Sequence, residues 1–248
     1  MVMLFLAACS VVPNFYQVYK TNPEGGGILT NNKIIFEDKN CLVTYNLWAE
    51  GGNIGFNIYN KTTSDLTVDL AKTFFVLNDV AFEYFQNRTF SKSSNSGTII
   101  NPYRYPNYWN YGPSITGTTS FGISTSYIEK PVLRIPSKTL VNIYEYNVIN
   151  TRYIHCDLLK YPTRKKIKTL LFDKNNSPFV FYNLISYSTS TDTVRLENKF
   201  YVSEITNYPE EELFTEIDTS VCGGKLDYSK EVFKNISPDK FYLKYSTE

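Results

Sequence analysis

At 248 residues the chain has room for one large all-β domain or two small ones, and its burial capacity suffices without disulfides or metals as staples. Lys and Arg total 25 against 24 Asp and Glu, a formal charge of +1 that lacks the basic excess of a nucleic-acid binder. A single histidine, His155, excludes multi-histidine zinc sites and leaves any Ser-His-Asp or Cys-His arrangement one candidate base.

The first element is the stretch "MLFLAACS", residues 3 to 10. Seven apolar residues, Val2 to Ala8, are too few to span a bilayer as a helix, which needs about 20. They suit the end of a signal-peptide apolar region, where small residues precede the cleavage point. Leu6-Ala7-Ala8-Cys9 resembles a bacterial lipobox, although no Lys or Arg precedes the apolar run. The resemblance implies cleavage between Ala8 and Cys9 and lipid attachment to the Cys9 thiol. Ser10 is not the Asp that signals inner-membrane retention in many such proteins, and no acidic run follows. The expected location is therefore the outer membrane, facing the periplasm.

Residues 1 to 8 then read as a signal-peptide remnant, 9 to 30 as a lipidated tether, and 31 to 248 as one domain. "NPEGGG" at 22 to 27 marks a turn or flexible linker; the Lys and Ser/Thr of a phosphate-cradling loop are absent. Strand signals follow. Cys41, Val43, Tyr45 and Leu47 alternate with Leu42, Thr44, Asn46 and Trp48. After "EGGNIG", Ile54, Phe56 and Ile58 share a face, and a turn at Asn60–Ser64 leads to Leu66, Val68 and Leu70. "TFFVLNDVAFEYF" predicts a hairpin around Asn78-Asp79, residues tolerant of positive φ. The 21 Tyr and 17 Phe favour pleated, half-buried surfaces.

Residues 86 to 126 differ in kind, being rich in Ser, Thr, Asn, Gly and Pro with almost no charge. A structureless stretch of that length inside a domain is either functional or disordered. At its centre Tyr103, Tyr105, Tyr108, Trp109 and Tyr111 crowd around Pro102 and Pro106. Such a cluster either stacks on sugar rings or a protein partner, or folds back over the sheet. The sheet resumes beyond it, with Pro131 and Pro136 marking an edge strand or bends. Val141 and Ile143 oppose Leu140, Tyr144 and Tyr146. Further strands are expected near 177 to 188, 193 to 205 and the C-terminus. Pro209 followed by three glutamates fits a first helical turn, and "YSKEVFKNI" suggests a second short helix.

Short strands separated by turn signals predict a single elaborated antiparallel β-sandwich, Ig-like in style, with one or two short helices near the C-terminus. The remaining chemistry is sparse. His155 and Cys156 would point to opposite faces of an extended segment, so they read as structural or surface residues. Arg164, Lys165, Lys166 and Lys168 read as a solvated face. Asp173, Asn175 and Asn176 read as a surface turn, because the Gly and terminal Glu of a calcium loop are missing. Cys41 reads as a small core residue. Asn60, Asn87 and Asn235 open N-x-Ser/Thr triplets that read as chance.

"FYQVYKTNP", "YNLWAEGGNIGFNIYNKTTSDLTVDL" and "EITNYPEEELF" together resemble a group of bacterial envelope lipoproteins with β-sandwich-like bodies. That group brings no activity with it, so no catalytic residue, cofactor or metal ligand is carried over. The expectation is a lipid-anchored envelope protein acting as a non-enzymatic binding or structural module. Its partners would be the membrane through Cys9 and a glycan or envelope protein, with no nucleic acid. The alternatives are a carbohydrate-binding or carbohydrate-active protein using residues 103 to 111, and a secreted or virion-associated β-protein if Cys9 is unmodified.

Overall fold

The computed structural model describes residues 12–97, 120–219 and 228–247. In chain order the strands are β1 (Asn14–Pro23), β2 (Ile28–Leu29), β3 (Ile34–Glu37), β4 (Cys41–Tyr45), β5 (Phe56–Asn60) and β6 (Leu66–Asp69). The hairpin β7 (Phe74–Leu77) and β8 (Val80–Glu83) follows. Next come β9 (Thr89–Gly97), β10 (Ser120–Ile128), β11 (Val132–Ile135), β12 (Leu140–Ile143) and β13 (Thr169–Leu171). The chain closes with β14 (Val180–Ser188), β15 (Thr193–Pro209), α1 (Glu210–Leu213), β16 (Phe214–Thr219), β17 (Tyr228–Phe233) and β18 (Lys240–Ser246). Among the described residues no helix is long and apolar enough to cross a membrane.

Two antiparallel sheets make the sandwich. The larger runs β11-β6-β14-β15-β1-β18, with β13 beside β15 and the β7–β8 hairpin beside β14. The smaller runs β12-β5-β4-β3-β2. The expected all-β sandwich is what the chain forms. The alternation read from the sequence is the core itself: Cys41, Val43, Tyr45, Leu47, Ile54, Phe56 and Ile58 are all buried from the smaller sheet. Tyr19, Leu66, Val68, Phe181, Ile185 and Phe200 are buried from the larger. Ring contacts join the layers, with Phe200 lying 5.2 Å from Tyr45 and 5.4 Å from Phe36. Asn60 ties them as well: its amide nitrogen donates to the carbonyls of Ser64, Ile135 and Pro136, and its oxygen accepts from Thr62. That fully buried role accounts for the first N-x-Thr triplet.

The "EGGNIG" break is a clamp. Gly51 and Gly52 have φ of +75° and +80°, and a Cβ on Gly52 would meet the Phe241 ring at 2.8 Å. Only glycine suits that backbone. The Asn78-Asp79 turn has φ of +46° and +66°, the paired positive values of a two-residue hairpin. As Pro131 and Pro136 suggest, β11 lies at an edge, pairing among the described residues with β6 alone.

Three expectations are corrected. The tether over residues 9 to 30 is too long, because Asn14–Pro23 is a strand hydrogen-bonded on both sides, to β15 and to β18. Gln17 and Thr21 are buried beside Tyr19, so polar side chains on the inward face hid the strand's alternation. "YSKEVFKNI" does not form a helix: Tyr228–Phe233 pairs with Phe214–Thr219. Among the described residues there, only the Glu210–Leu213 turn after Pro209 is helical.

The described parts of the stretch from 86 to 126 are not structureless either, since Thr89–Gly97 and Ser120–Ile128 pair in register along their length. Residues 85 to 131 form a unit of their own, separate from the sandwich. At the base of this ribbon the Glu129 carboxylate accepts the Arg88 guanidinium at 2.7 Å and the backbone N–H groups of Gln86 and Arg88 at 3.1 Å each. Cys9, Cys222 and the cluster Tyr103, Tyr105, Tyr108, Trp109 and Tyr111 lie outside the described residues.

Candidate functional site

Interior polar groups first decide what the sandwich can do chemically. Tyr45 is fully buried, and its hydroxyl accepts from Asn198 Nδ2 at 2.9 Å and Asn183 Nδ2 at 3.4 Å. Asn183 also donates to the Ile54 carbonyl at 2.9 Å and accepts from the Tyr84 hydroxyl at 2.9 Å. Burial pushes the Tyr45 and Tyr84 hydroxyls well above their ordinary range, so both stay neutral donors and acceptors. This network is satisfied from within, which is the signature of a structural role.

A second network runs from Gln17. Its amide nitrogen donates to Asn207 Oδ1 at 2.8 Å and the Tyr153 carbonyl at 2.9 Å, while its oxygen accepts from the Tyr153 N–H at 2.7 Å and from the Tyr19 hydroxyl. Asn207 then donates to the Leu159 carbonyl at 2.8 Å. Residues 153 to 159, which have no regular structure, are thereby pinned to the sheet.

No nucleophile stands activated among the groups singled out in the sequence. Burial pushes the Cys41 thiol far above its ordinary value, with Asp38 beside it acting the same way. Cys156 is exposed, and both cysteines are free thiols. His155 accepts a hydrogen bond from the Asp157 N–H at 3.1 Å through Nδ1, which turns it toward a surface loop. Arg164 meets Glu211 and Glu212 at 3.1 and 2.9 Å, and Asp173 closes an exposed turn with Asn175 and Asn176. Among the described residues no group of three or more His, Cys, Asp and Glu gathers as a metal site would.

Among the described residues, two hollows in the sandwich surface have a mainly apolar lining. One, of about 460 Å³, is formed by Phe75, Leu77, Phe82, Tyr146 and the segment 147 to 151. Phe75 stacks on Tyr146 at 5.5 Å and on Phe82 at 5.8 Å, so the rings pack one against another. The other, of about 660 Å³, lies where β1 begins and β15 ends, lined by Pro13, Phe15, Pro162 and Pro209 with Arg164, Lys165 and Glu210. Glu210 is held there by Asn14 Nδ2 at 3.0 and 3.2 Å and by the Tyr16 hydroxyl at 3.1 Å. Burial, and then that hydrogen bond to Glu210, raises the Tyr16 hydroxyl above its ordinary value.

No family model, curated protein or solved structure matches this chain.

Around the larger hollow, Phe15, Tyr161 and Tyr245 form an aromatic trio with centroid separations of 5.1, 5.7 and 6.4 Å. The Arg152 guanidinium lies over Tyr245 at 4.9 Å, and Lys160 Nζ lies over Tyr161 at 5.0 Å. Burial pushes Tyr245 up to about 12, partly offset by Arg152. Sequence reading found the basic run but not this assembly. Its members come from positions 15, 152, 160, 161 and 245: the β1–β18 pairing sets Phe15 opposite Tyr245, and the Tyr245 hydroxyl holds the Lys160 carbonyl at 2.6 Å.

Proposed function

We propose that this chain is a lipid-anchored cell-envelope protein, acylated at Cys9, whose sandwich serves as a binding or structural module rather than an enzyme. The observation that carries the reading is Leu6-Ala7-Ala8-Cys9 placed immediately before a strand that is integral to the domain. Only four residues separate Cys9 from Asn14, so lipid on that thiol would hold the sandwich itself, and not a long linker, at the membrane. The interior supports the non-enzymatic part: buried hydroxyls and the buried thiol are held protonated, and the buried amides are spent on internal bonds.

The test is expression of the full-length gene in a bacterium with lipoprotein processing. Detergent-phase partitioning and a diacyl- or triacylglyceryl mass increase are expected, and both should vanish in Cys9→Ser. One acyl chain binds membranes only marginally, whereas several hold firmly. A wild-type protein that stays in the aqueous phase with Met1 intact overturns the reading.

A further inference from the structure

We propose that the end of the sandwich bearing Asn14 is a second membrane contact, a surface that settles on anionic lipid headgroups. The inference rests on the anchor reading. Cys9 lies five positions before Asn14, and five residues of chain reach about 18 Å at most. A lipid at Cys9 would therefore keep this end of the domain, and no other, beside the bilayer.

The surface has the chemistry of an interface dweller. Val12, Leu159 and Tyr161 are exposed there, and Tyr161 combines an apolar ring with a polar tip, while the half-buried Tyr245 backs it with its hydroxyl donated to the Lys160 carbonyl at 2.6 Å. Rings of that kind concentrate at the headgroup level of membranes. The Arg152 guanidinium and the Lys160 ammonium lie over the faces of Tyr245 and Tyr161, so the aromatic centre itself carries positive charge. Lys165 lines the hollow with Phe15, and Lys165 and Lys166 are both exposed in the short 3-10 turn Arg164–Lys166.

The carboxylates at this end offset part of that charge. Glu211 and Glu212 share the single Arg164, Asp157 stands exposed beside His155, and Glu210 accepts from Asn14 and Tyr16 with Lys244 4.0 Å away. Arg152, Lys165 and Lys166 outnumber Asp157 and the one carboxylate that Arg164 leaves over, so positive charge is in excess around an apolar and aromatic centre. Anionic headgroups complement that pattern, and a zwitterionic surface does not.

The experiment uses full-length Cys9→Ser, so that acylation plays no part, with phosphatidylcholine vesicles that either contain or lack a third phosphatidylglycerol. Sedimentation with the anionic vesicles alone is expected, weakening as salt rises. Lys165→Glu with Lys166→Glu should lower partitioning about 25-fold or more, following the attraction of each cation near an anionic surface. Lys39→Glu with Arg195→Glu makes the same charge change toward the other end of β15 and should cost much less. Both pairs are exposed, and circular dichroism with a melting curve checks that each variant is folded.

Absence of binding to anionic vesicles at low salt overturns the proposal, as does an equal loss from the two pairs. Acylation of Cys9 without vesicle binding by Cys9→Ser would leave the anchor standing and remove only the surface. Vesicle binding by Cys9→Ser from a protein whose native Cys9 carries no lipid would support the surface and remove only the anchor.

Discussion

Asn78 treats Val180 as a strand neighbour would: its side-chain oxygen accepts the Val180 N–H at 2.9 Å, and its own N–H donates to the Val180 carbonyl at 2.8 Å. Its amide nitrogen completes the clamp on the Pro178 carbonyl at 2.9 Å. One turn residue thus fixes both the β7–β8 hairpin and the start of β14. Asn78→Gly keeps the positive φ and loses the side-chain bonds, at about 1 kcal/mol. Asn78→Ala loses both and should cost about 1 kcal/mol more. Urea denaturation of the two variants checks the order; equal stabilities would mean that the left-handed backbone is not what selects the residue.

Tyr45→Phe removes the acceptor shared by Asn183 and Asn198 at the centre of the core. Asn198 Nδ2 is left facing a ring edge, and leaving a buried donor unpaired costs about 1–3 kcal/mol. Thermal unfolding should show the loss, and adding Asn198→Leu to Tyr45→Phe should recover part of it. A double variant less stable than both single variants would contradict the assignment.

Asp38 sets an acid limit. Burial alone would raise its carboxyl, but it is held below the ordinary 3.8 by the Tyr187 hydroxyl and by the N–H groups of Cys41 and Asn40, at 2.7 and 2.9 Å. A depressed folded-state value adds stability that is present above the ordinary carboxylate range and is lost as pH falls through the folded value. Asp38→Asn should therefore be less stable than wild type at neutral pH, with the gap closing at pH below about 4. Chemical denaturation at a series of pH values reads this directly; a gap that stays constant into acid removes Asp38 as the cause.

The two described cysteines should part company under a thiol reagent. Cys156 is exposed and Cys41 is completely buried with its thiol held protonated. Brief maleimide treatment of the native protein, followed by peptide mass mapping, should modify Cys156 and leave Cys41 untouched until denaturant is added. Equal native labelling would show that β4 opens far more readily than its packing implies.

The sequence made legible what has a strict period. Cys41 through Leu47 and Ile54 through Ile58 read correctly because their inward positions are uniformly apolar. The hairpin read correctly because Asn78-Asp79 fits one backbone geometry. β1 was missed because Gln17 and Thr21 face inward, and an alternation that includes buried amides and hydroxyls looks like a linker. Tyr228–Phe233 was misread because a six-residue strand carrying Lys230 and Glu231 offers a helical pattern as readily as a strand's. The Phe15, Tyr161 and Tyr245 assembly was not legible, since nothing local links these residues, and Phe15 and Tyr245 stand 230 positions apart.

That separation governs how the molecule can be made. β1 leaves the ribosome early, yet its partners are β15 and β18, with Asn14 opposite Ser246. Its buried Tyr19, Gln17 and Thr21 have no sheet to join until residues near 200 exist, and one flank stays open until the last strand arrives. Non-local pairing of this kind is slow, and an unpaired strand edge invites association with other chains. A message cut short before Lys240 would yield a product with β1 as a bare edge. Such a chain is a substrate for proteases and chaperones, so the sandwich closes only around a translation product carried through to β18.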